Sequence, residues 1–314
     1  MNVVIMEGLG ISAEELAERK KPFEEQGVTF TDYDKTTDTG TLIAQAHDAD
    51  VMILANMPMP AEVIRACENL KFIDIAFTGT DHVGLDAARE KNITVSNASG
   101  YSNEAVSELV IGMALSLARN IRAVEDRCRE GKDKTGLVGF ELKGKTIGIV
   151  GLGKIGTRSA ELFHAFGCDV LSYSRTKHAD APSYVEQVTL DEVLTRSDIV
   201  VLHCPLTDET RGLINLEKLK KMKPSALLIN VARGPVVVEE DLAGALNDSI
   251  IAGAAIDVFD KEPPLDTSSP ILHAKNTLVT PHVAFATKQS MSLRAGIVFG
   301  NLRAWMDGAP VNEV

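Results

Sequence analysis

The sequence predicts an α/β protein with two parallel-sheet domains, and three observations carry this. Short apolar runs alternate with stretches of helical periodicity along the chain. One such run, TIGIV at 146–150, breaks mid-chain into three spaced glycines followed by a helix-forming segment. The length of 314 residues suits about two domains at the usual roughly 100 to 200 residues each, and leaves residues 1–97 to build something before the second begins.

Taken in order, the pattern gives a strand at 3–6, a helix at 13–26, a strand at 28–31, a helix at 42–47 and a strand at 51–54. A helix then starts near Pro60, since proline suits a first helical turn. It is followed by a strand at 72–75, a polar loop from Thr78 to Asp81 and a strand at 93–96. From Ser102 onward, Ala105, Val106, Leu109, Met113, Leu117 and Ile121 recur at helical spacing without a proline, which predicts one long helix. Residues 129–144, rich in glycine and charge, read as a loop. Further strands are expected at 146–150, 170–173, 199–202, 226–230, 251–256 and 277–280, with helices between them. The last helix, 288–306, carries Leu293, Ile297 and Leu302 on one face and returns most economically to the first domain. That domain is then discontinuous, 1–98 with 288–314, around a second domain at 99–287.

Composition narrows the function. With 45% hydrophobic and 24% charged residues and no apolar run of membrane-spanning length, no membrane association is expected, and the opening MNVVIMEG lacks the basic start of a signal peptide. A net charge of -12, spread along the chain, offers no footprint for a phosphate backbone, so nucleic acid is not an expected partner. Cys67, Cys128, Cys168 and Cys204 have no metal-ligand spacing and read as reduced, cytoplasmic thiols.

The glycines of GLGKIG point to a dinucleotide. Gly151 permits a tight turn, Gly153 lets the backbone approach phosphate oxygens, and Gly156 lets the following helix pack close to the strand. The helix N-terminus adds unpaired N–H groups and a positive dipole end. Alone this motif is weak, but longer runs accompany it: SDIVVLHCPLTDETRGLIN at 197–215, LLINVARGPVVVEEDLAGAL at 227–246, AAIDVFDKEPP at 254–264 and TPHVAFAT at 280–287. ENLKFIDIAFTGTDHVGLDAA at 68–88 and the closing DGAPVNEV extend the match outside the nucleotide fold.

On these motifs the chain resembles the D-isomer-specific 2-hydroxyacid dehydrogenases over essentially its whole length. The resemblance implies a Rossmann-type doubly wound coenzyme domain, a smaller flavodoxin-like substrate domain made of both chain ends, and a homodimer. It implies reversible NAD(P)-dependent reduction of a small 2-oxo acid to the D-2-hydroxy acid, with Arg233, Glu262 and His282 as the catalytic set. The chemistry explains the residue types. A guanidinium grips a planar carboxylate with two bonds and polarises the adjacent carbonyl. An imidazolium protonates the alkoxide formed as hydride arrives, and a carboxylate beside it favours its charged form and orients the ring. Taken singly, Arg233 could cap a strand end, Glu262 could be a solvated turn acid and His282 a surface-loop residue. Each, however, follows a predicted strand at its carboxyl end, where open α/β sheets hold their ligands.

For the cofactor the resemblance marks Gly151, Gly153, Lys154, Ile155 and Gly156, then Ser174, Arg175 and Thr176. It adds His203, Cys204 and Pro205 through their backbone, with Thr210, Val231, Ala232 and the Asp257 carboxylate, the last on the nicotinamide carboxamide. Asn56, Met57, Thr78 and Gly79, with Arg233 and His282, are expected around the substrate, and no Lys or Arg lies in the loop 55–60. One departure concerns the acidic residue that binds the adenosine ribose about 20 residues after the glycines, because Tyr173-Ser174-Arg175-Thr176 occupies that place. Its loss removes charged hydrogen bonds to NAD and a repulsion against a 2'-phosphate, which Arg175 and Lys177 are placed to pair with, so the sequence leans to NADP(H). A dinucleotide-sensing regulator of the corepressor kind is the competing class, and the complete Arg233, Glu262 and His282 set weighs against it.

Overall fold

The computed structural model describes residues 1–262 and 265–314; Pro263 and Pro264, which end the KEPP motif, lie outside the described residues. The chain divides into two compact units, Met1–Ser102 with Ala286–Val314, and Asn103–Phe285.

The first unit is built on five parallel strands, β1 (Asn2–Ile5), β2 (Thr29–Asp32), β3 (Val51–Leu54), β4 (Phe72–Ile75) and β5 (Thr94–Asn97), in the order β2-β1-β3-β4-β5. Four short helices connect them: α1 (Ala13–Glu24), α2 (Thr39–Ala46), α3 (Ala61–Ala66) and α4 (Leu85–Glu90). The strands β3 and β4 are buried at every position, as expected of parallel strands covered on both faces. The last helix of the chain, α11 (Lys288–Met306), packs on this sheet, with Trp305 stacked on Phe72 at 5.0 Å between ring centroids. Its buried face is set by Met291, Ala295, Val298 and Leu302. Leu293, expected on that face, is 52% exposed, because it lies off the stripe that these residues form at helical spacing. Beyond the helix, the segment 311–314 runs along β5, where Asn97 N–H donates to Asn312 O and Val314 N–H to Val95 O. The free edge of β5 is thereby covered.

The second unit is a doubly wound sheet of seven parallel strands: β6 (Thr146–Val150), β7 (Asp169–Tyr173), β8 (Val185–Gln187), β9 (Ile199–Leu202), β10 (Leu227–Asn230), β11 (Gly253–Ile256) and β12 (Thr277–Val279). Their order is β12-β11-β10-β9-β6-β7-β8, so the winding reverses between β6 and β9. Alternate residues enter opposite cores. Ile147, Ile149, Ile199, Val201 and Ile229 face one side with α5 (Asn103–Ala118) and α7 (Lys154–Ala165). Val150, Val200, Leu202 and Leu228 face the other with α8 (Leu190–Arg196), α9 (Leu216–Leu219) and α10 (Glu239–Asn247). This is the pattern a sheet with helices on both faces requires.

One sequence expectation is corrected here, and one unforeseen strand is added. The single long helix from Ser102 stops at Ala118, whose carbonyl accepts from Phe140 N–H at 2.9 Å, and Asn120 turns the chain at φ +52 before α6 (Ile121–Arg129) begins. Asparagine tolerates that left-handed conformation, and α6 has no buried residue, so Ile121 is not part of the helical core stripe. The edge strand β8 escaped notice because it is three residues long and follows a polar loop, closed by reciprocal bonds between His178 and the Gln187 side chain.

One buried carboxyl group in the first unit carries a pH dependence. Asp74, on β4, is fully buried, accepts one bond from Asn301 Nδ2 at 3.0 Å through Oδ1, and its Oδ2 has no partner. Desolvation pushes its carboxyl well above the usual value of 3.8, against the weaker pull of that hydrogen bond. The folded chain therefore holds a proton that the unfolded chain has released. Its contribution to stability is intact below 3.8 and declines as pH rises above it, by up to about 1.4 kcal/mol per pH unit for one proton. Asp74→Asn, a neutral isostere, is expected to flatten that decline and to be the more stable protein at pH 8. Urea unfolding of the first unit at pH 5 and pH 8 checks this; equal pH slopes in the two proteins would refute it.

Candidate active site

The glycine turn after β6 is shaped for close backbone approach. Gly151 sits at φ +101, and a Cβ there would lie 2.6 Å from Cys204 N and 2.8 Å from His203 C. The loop after β6 thus packs directly on the loop after β9, at the point where the sheet reverses, which is where such sheets form their ligand crevice. A Cβ on Gly156 would stand 2.0 Å from Gly151 O, so this helix residue must be bare for α7 to meet the turn. Gly153 is different: it heads α7 with nothing within 4 Å of where a Cβ would be. Open space in front of a helix N-terminus fits a pyrophosphate, and Lys154 and Ile155 form the first helical turn there.

The rest of the expected cofactor set stands on neighbouring strand ends. Ser174 follows β7, and its Oγ accepts from Leu152 N–H at 2.9 Å, linking the second strand end to the glycine turn. Arg175 and Thr176 are exposed beyond it. Arg175 Nη1 donates to Glu209 Oε2 at 2.8 Å, with side chains 77% and 67% exposed. After β9, Thr210 Oγ1 donates to Pro205 O at 2.6 Å and accepts from Thr207 N–H, which fixes the loop behind His203, Cys204 and Pro205. Burial drives the His203 imidazole down to about 3 and the Cys204 thiol up to about 11, so near neutral pH both side chains are uncharged. Val231 and Ala232 follow β10, and Ala232 N–H donates to Asn230 Oδ1.

Arg233, Glu262 and His282 lie in the loops after β10, β11 and β12. Arg233 holds an extended backbone at φ -144, its Nη1 donates to Ala232 O at 2.8 Å, and its carbonyl accepts from Asn230 Nδ2. Its neighbour Gly234 has no room for a side chain, since a Cβ would sit 2.0 Å from Phe259 C and 2.2 Å from Phe259 O. That contact locks the arginine turn against the loop leading to Glu262. His282 Nδ1 and Glu262 Oε1 are 2.8 Å apart, with side chains 20% and 18% exposed, and Phe285 meets the imidazole edge-on at 5.5 Å. The histidine backbone is in the left-handed region at φ +51.

Asp257 explains how that conformation is held. Fully buried at the end of β11, its Oδ1 accepts from Thr280 Oγ1 at 2.5 Å and Val283 N–H at 2.9 Å, and its Oδ2 from Ala284 N–H at 2.9 Å. His282 N–H donates to Asp257 O at 2.7 Å. In this structure the carboxylate serves the loop that carries His282.

In the first unit, the expected substrate residues follow β3 and β4. Glu7, after β1, is 6% exposed at its side chain, and its Oε1 accepts from Ala55 N–H at 2.9 Å and Met57 N–H at 2.7 Å. His82 Nε2 lies 2.8 Å from Ala55 O. Met57 is fully buried, whereas Asn56 is half-buried, its Oδ1 accepting from Lys35 Nζ at 3.0 Å. The loop 55–60 contains no cation of its own, but folding brings Lys35 to it, 3.4 Å from Glu7 Oε2. Thr78 and Gly79 follow β4; Asn97 Nδ2 donates to Thr78 O, and Thr78 Oγ1 is buried without a partner.

The family model described as D-isomer specific 2-hydroxyacid dehydrogenase, NAD binding domain, matches residues 111–284. The chain belongs to this family. A hydroxypyruvate reductase from Blautia hydrogenotrophica is 35% identical over 324 aligned positions, covering 100% of this chain and 99% of that protein. A glyoxylate reductase from Thermofilum pendens is 40% identical over 276, covering 85% and 81%. Among solved structures, an acyclic imino acid reductase in complex with NADPH and D-Arg superposes with a TM-score of 0.92 at 25% identity over the whole of both chains. The protein is accordingly an oxidoreductase with an NAD-binding domain, and among the described residues no helix is long and apolar enough to cross a membrane.

Sequence reasoning missed Glu7, Lys35, Glu209, Asn230 and Gly234. Asn230 and Glu7 carried a usable signal, a polar side chain at the carboxyl end of an apolar run. Lys35 and Glu209 carried none, because their partners are 21 and 34 residues away. The glycines give a paired prediction. Gly234→Ala, with backbone on both sides, should destabilise the second unit by about 1 to 3 kcal/mol. Gly153→Ala should melt like the parent yet lose dinucleotide affinity. Calorimetry with NADH titration checks both, and a Gly234→Ala protein of parental stability would contradict the contact.

Proposed function

We propose that the protein reduces a small 2-oxo acid to the D-2-hydroxy acid, reversibly, with Arg233, Glu262 and His282 as its catalytic residues. The observation that carries this is the Glu262–His282 pair, a half-buried carboxylate and imidazole joined at 2.8 Å through Nδ1. That bond leaves Nε2 as the nitrogen for proton exchange with substrate. A nicotinamide dinucleotide, held at the Gly151–Gly156 turn, would supply the hydride. The Arg233 guanidinium holds the substrate carboxylate with two parallel bonds and draws electron density from the carbonyl. His282 delivers the proton to the oxygen as its negative charge develops, and Glu262 stabilises the imidazolium before that transfer. The backbone of Thr78 and Gly79 and the loop of Asn56 and Met57 contact the substrate's carboxylate and side chain. Glyoxylate and hydroxypyruvate, named in the relatives' descriptions, are the first substrates to test.

His282→Ala should lower reduction by about 100- to 10,000-fold on a panel of 2-oxo acids while retaining dinucleotide binding. Full activity in the variant would remove His282 from the mechanism.

For the cofactor, we infer a lean to NADP(H). Ser174 stands where a ribose-binding acid would repel a 2'-phosphate, and Arg175 is the cation beside it. Glu209 opposes this lean, since its carboxylate occupies Arg175 at 2.8 Å. Glu209→Gln should therefore raise the ratio of kcat/KM for NADPH over NADH by about 3- to 10-fold. Initial rates with both cofactors decide: an unchanged ratio would remove Glu209 from specificity, and a clear NADH preference in the parent would defeat the lean itself.

A further inference from the structure

Within the first unit, a chain of asparagine side chains runs from the segment that covers β5 to the loop that follows β4. Segment 311–314 lies antiparallel to β5, with Asn97 N–H donating to Asn312 O at 3.0 Å, Val314 N–H to Val95 O at 3.1 Å and Ser96 Oγ to Val311 O at 2.7 Å. Asn312 Nδ2 donates to Asn301 Oδ1 on α11 at 2.8 Å. Asn301 is 1% exposed, and its Nδ2, which carries two hydrogens, meets two acceptors, Asp74 Oδ1 at 3.0 Å and Asn97 O at 3.1 Å. Asn97 is buried at the end of β5. Its Nδ2 donates to Thr78 O at 2.8 Å, and its Oδ1 accepts from Ser99 N–H at 3.1 Å. Ala98 N–H donates beside it, to Ile75 O at 2.9 Å and Phe77 O at 3.1 Å. The carbonyls of both residues that precede Gly79 are thereby held by the end of β5.

We propose that Asn97 is a positioning residue for the Thr78–Gly79 backbone, itself held in place by Asn301 and Asn312; this rests on the reading above in which that backbone contacts the substrate. A trans peptide points its N–H opposite to its carbonyl. With Phe77 O drawn to Ala98 and Thr78 O drawn to Asn97, the N–H groups of Thr78 and Gly79 point away from the end of β5. Successive amide donors of this kind suit an anionic group such as a carboxylate. Glycine gives the loop no stiffness of its own, so the direction of these donors is set by what holds the carbonyls. Asn97 holds one of them directly, and the path through Asn301 to Asn312 makes segment 311–314 part of the same support.

Asn97→Ala removes the bond to Thr78 O and leaves the backbone pairing of β5 intact. It should raise KM for glyoxylate or hydroxypyruvate by about 3- to 10-fold, the effect of one buried hydrogen bond, with kcat within about twofold of the parent and the Kd for NADH unmoved. Asn312→Gly removes the side chain at a residue whose φ of +55 glycine accepts, and should shift KM in the same direction by less. The double variant should show the KM of Asn97→Ala alone, because both residues act along one path. Amide hydrogen exchange at 78–79 should quicken in each variant. An unchanged KM in Asn97→Ala overturns the proposal. So does a loss of kcat and of NADH affinity alongside it, which would make Asn97 a support of the fold at large, and multiplying effects in the double variant would remove Asn312 from the path. A parent protein that turns over no 2-oxo acid with either cofactor overturns the underlying reading and this one with it, a result distinguishable because it appears before any substitution is made.

Discussion

The buried carboxylate of Asp257 is the contact on which the proposed catalytic geometry depends. It stands at the end of β11, with Arg233 on one side of it in the sheet and His282 on the other. Burial pushes its carboxyl up, while the donors Thr280, Val283 and Ala284, with His282 nearby, pull it down. Those donors all belong to one five-residue loop, so the carboxylate acts as a clamp that wraps 280–284 around itself. Its own backbone joins in, with Asp257 N–H donating to Asn230 O and Asp257 O accepting from His282 N–H. A histidine at φ +51 is strained, and such strain persists only where the surroundings over-determine it. Here three side-chain bonds and two backbone bonds do so.

A common device recurs at the other working loops. A polar residue at a strand end satisfies the backbone of a nearby loop and thereby fixes a residue or turn proposed to face a ligand. Asn230 binds the backbone of Ala232 and of Arg233, and Arg233 is oriented. Glu7 binds Ala55 and Met57, and Asn56 is oriented. Ser174 binds Leu152, and the glycine turn is oriented. In each case buried hydrogen-bonding groups are satisfied within the protein, which keeps the loops ordered without packing them shut.

How far this was legible in the sequence follows from the range of each interaction. The strand run into GLGKIG and the apolar strands of both sheets are local patterns, and they stand close to where periodicity put them. The Asp257 clamp was half legible: the motifs containing both partners were evident, but the carboxylate was read for a cofactor contact and not for its grip on Thr280. The break at Asn120 was missed because apolar spacing continues through it, and only the docking of Phe140 on Ala118 ends the helix. Lys35 beside Asn56 and Glu209 beside Arg175 depend on which strands are neighbours, information that enters with the sheet order and not with the residues themselves.

The covering of the first unit by the last 29 residues has a consequence for the order in which the chain matures. The sheet whose strands precede the second unit receives α11, with Trp305 on Phe72 and Phe299 on Phe23, and the 311–314 segment on β5, only after the second unit has been synthesised. The second unit, by contrast, takes all of its strands and helices from one uninterrupted stretch. The contacts that α11 and the 311–314 segment make with the rest of the first unit span more than 200 residues, and long-range closure is the slower process. The stretch that forms the second unit is therefore complete before the segment that closes the first unit's sheet has been made.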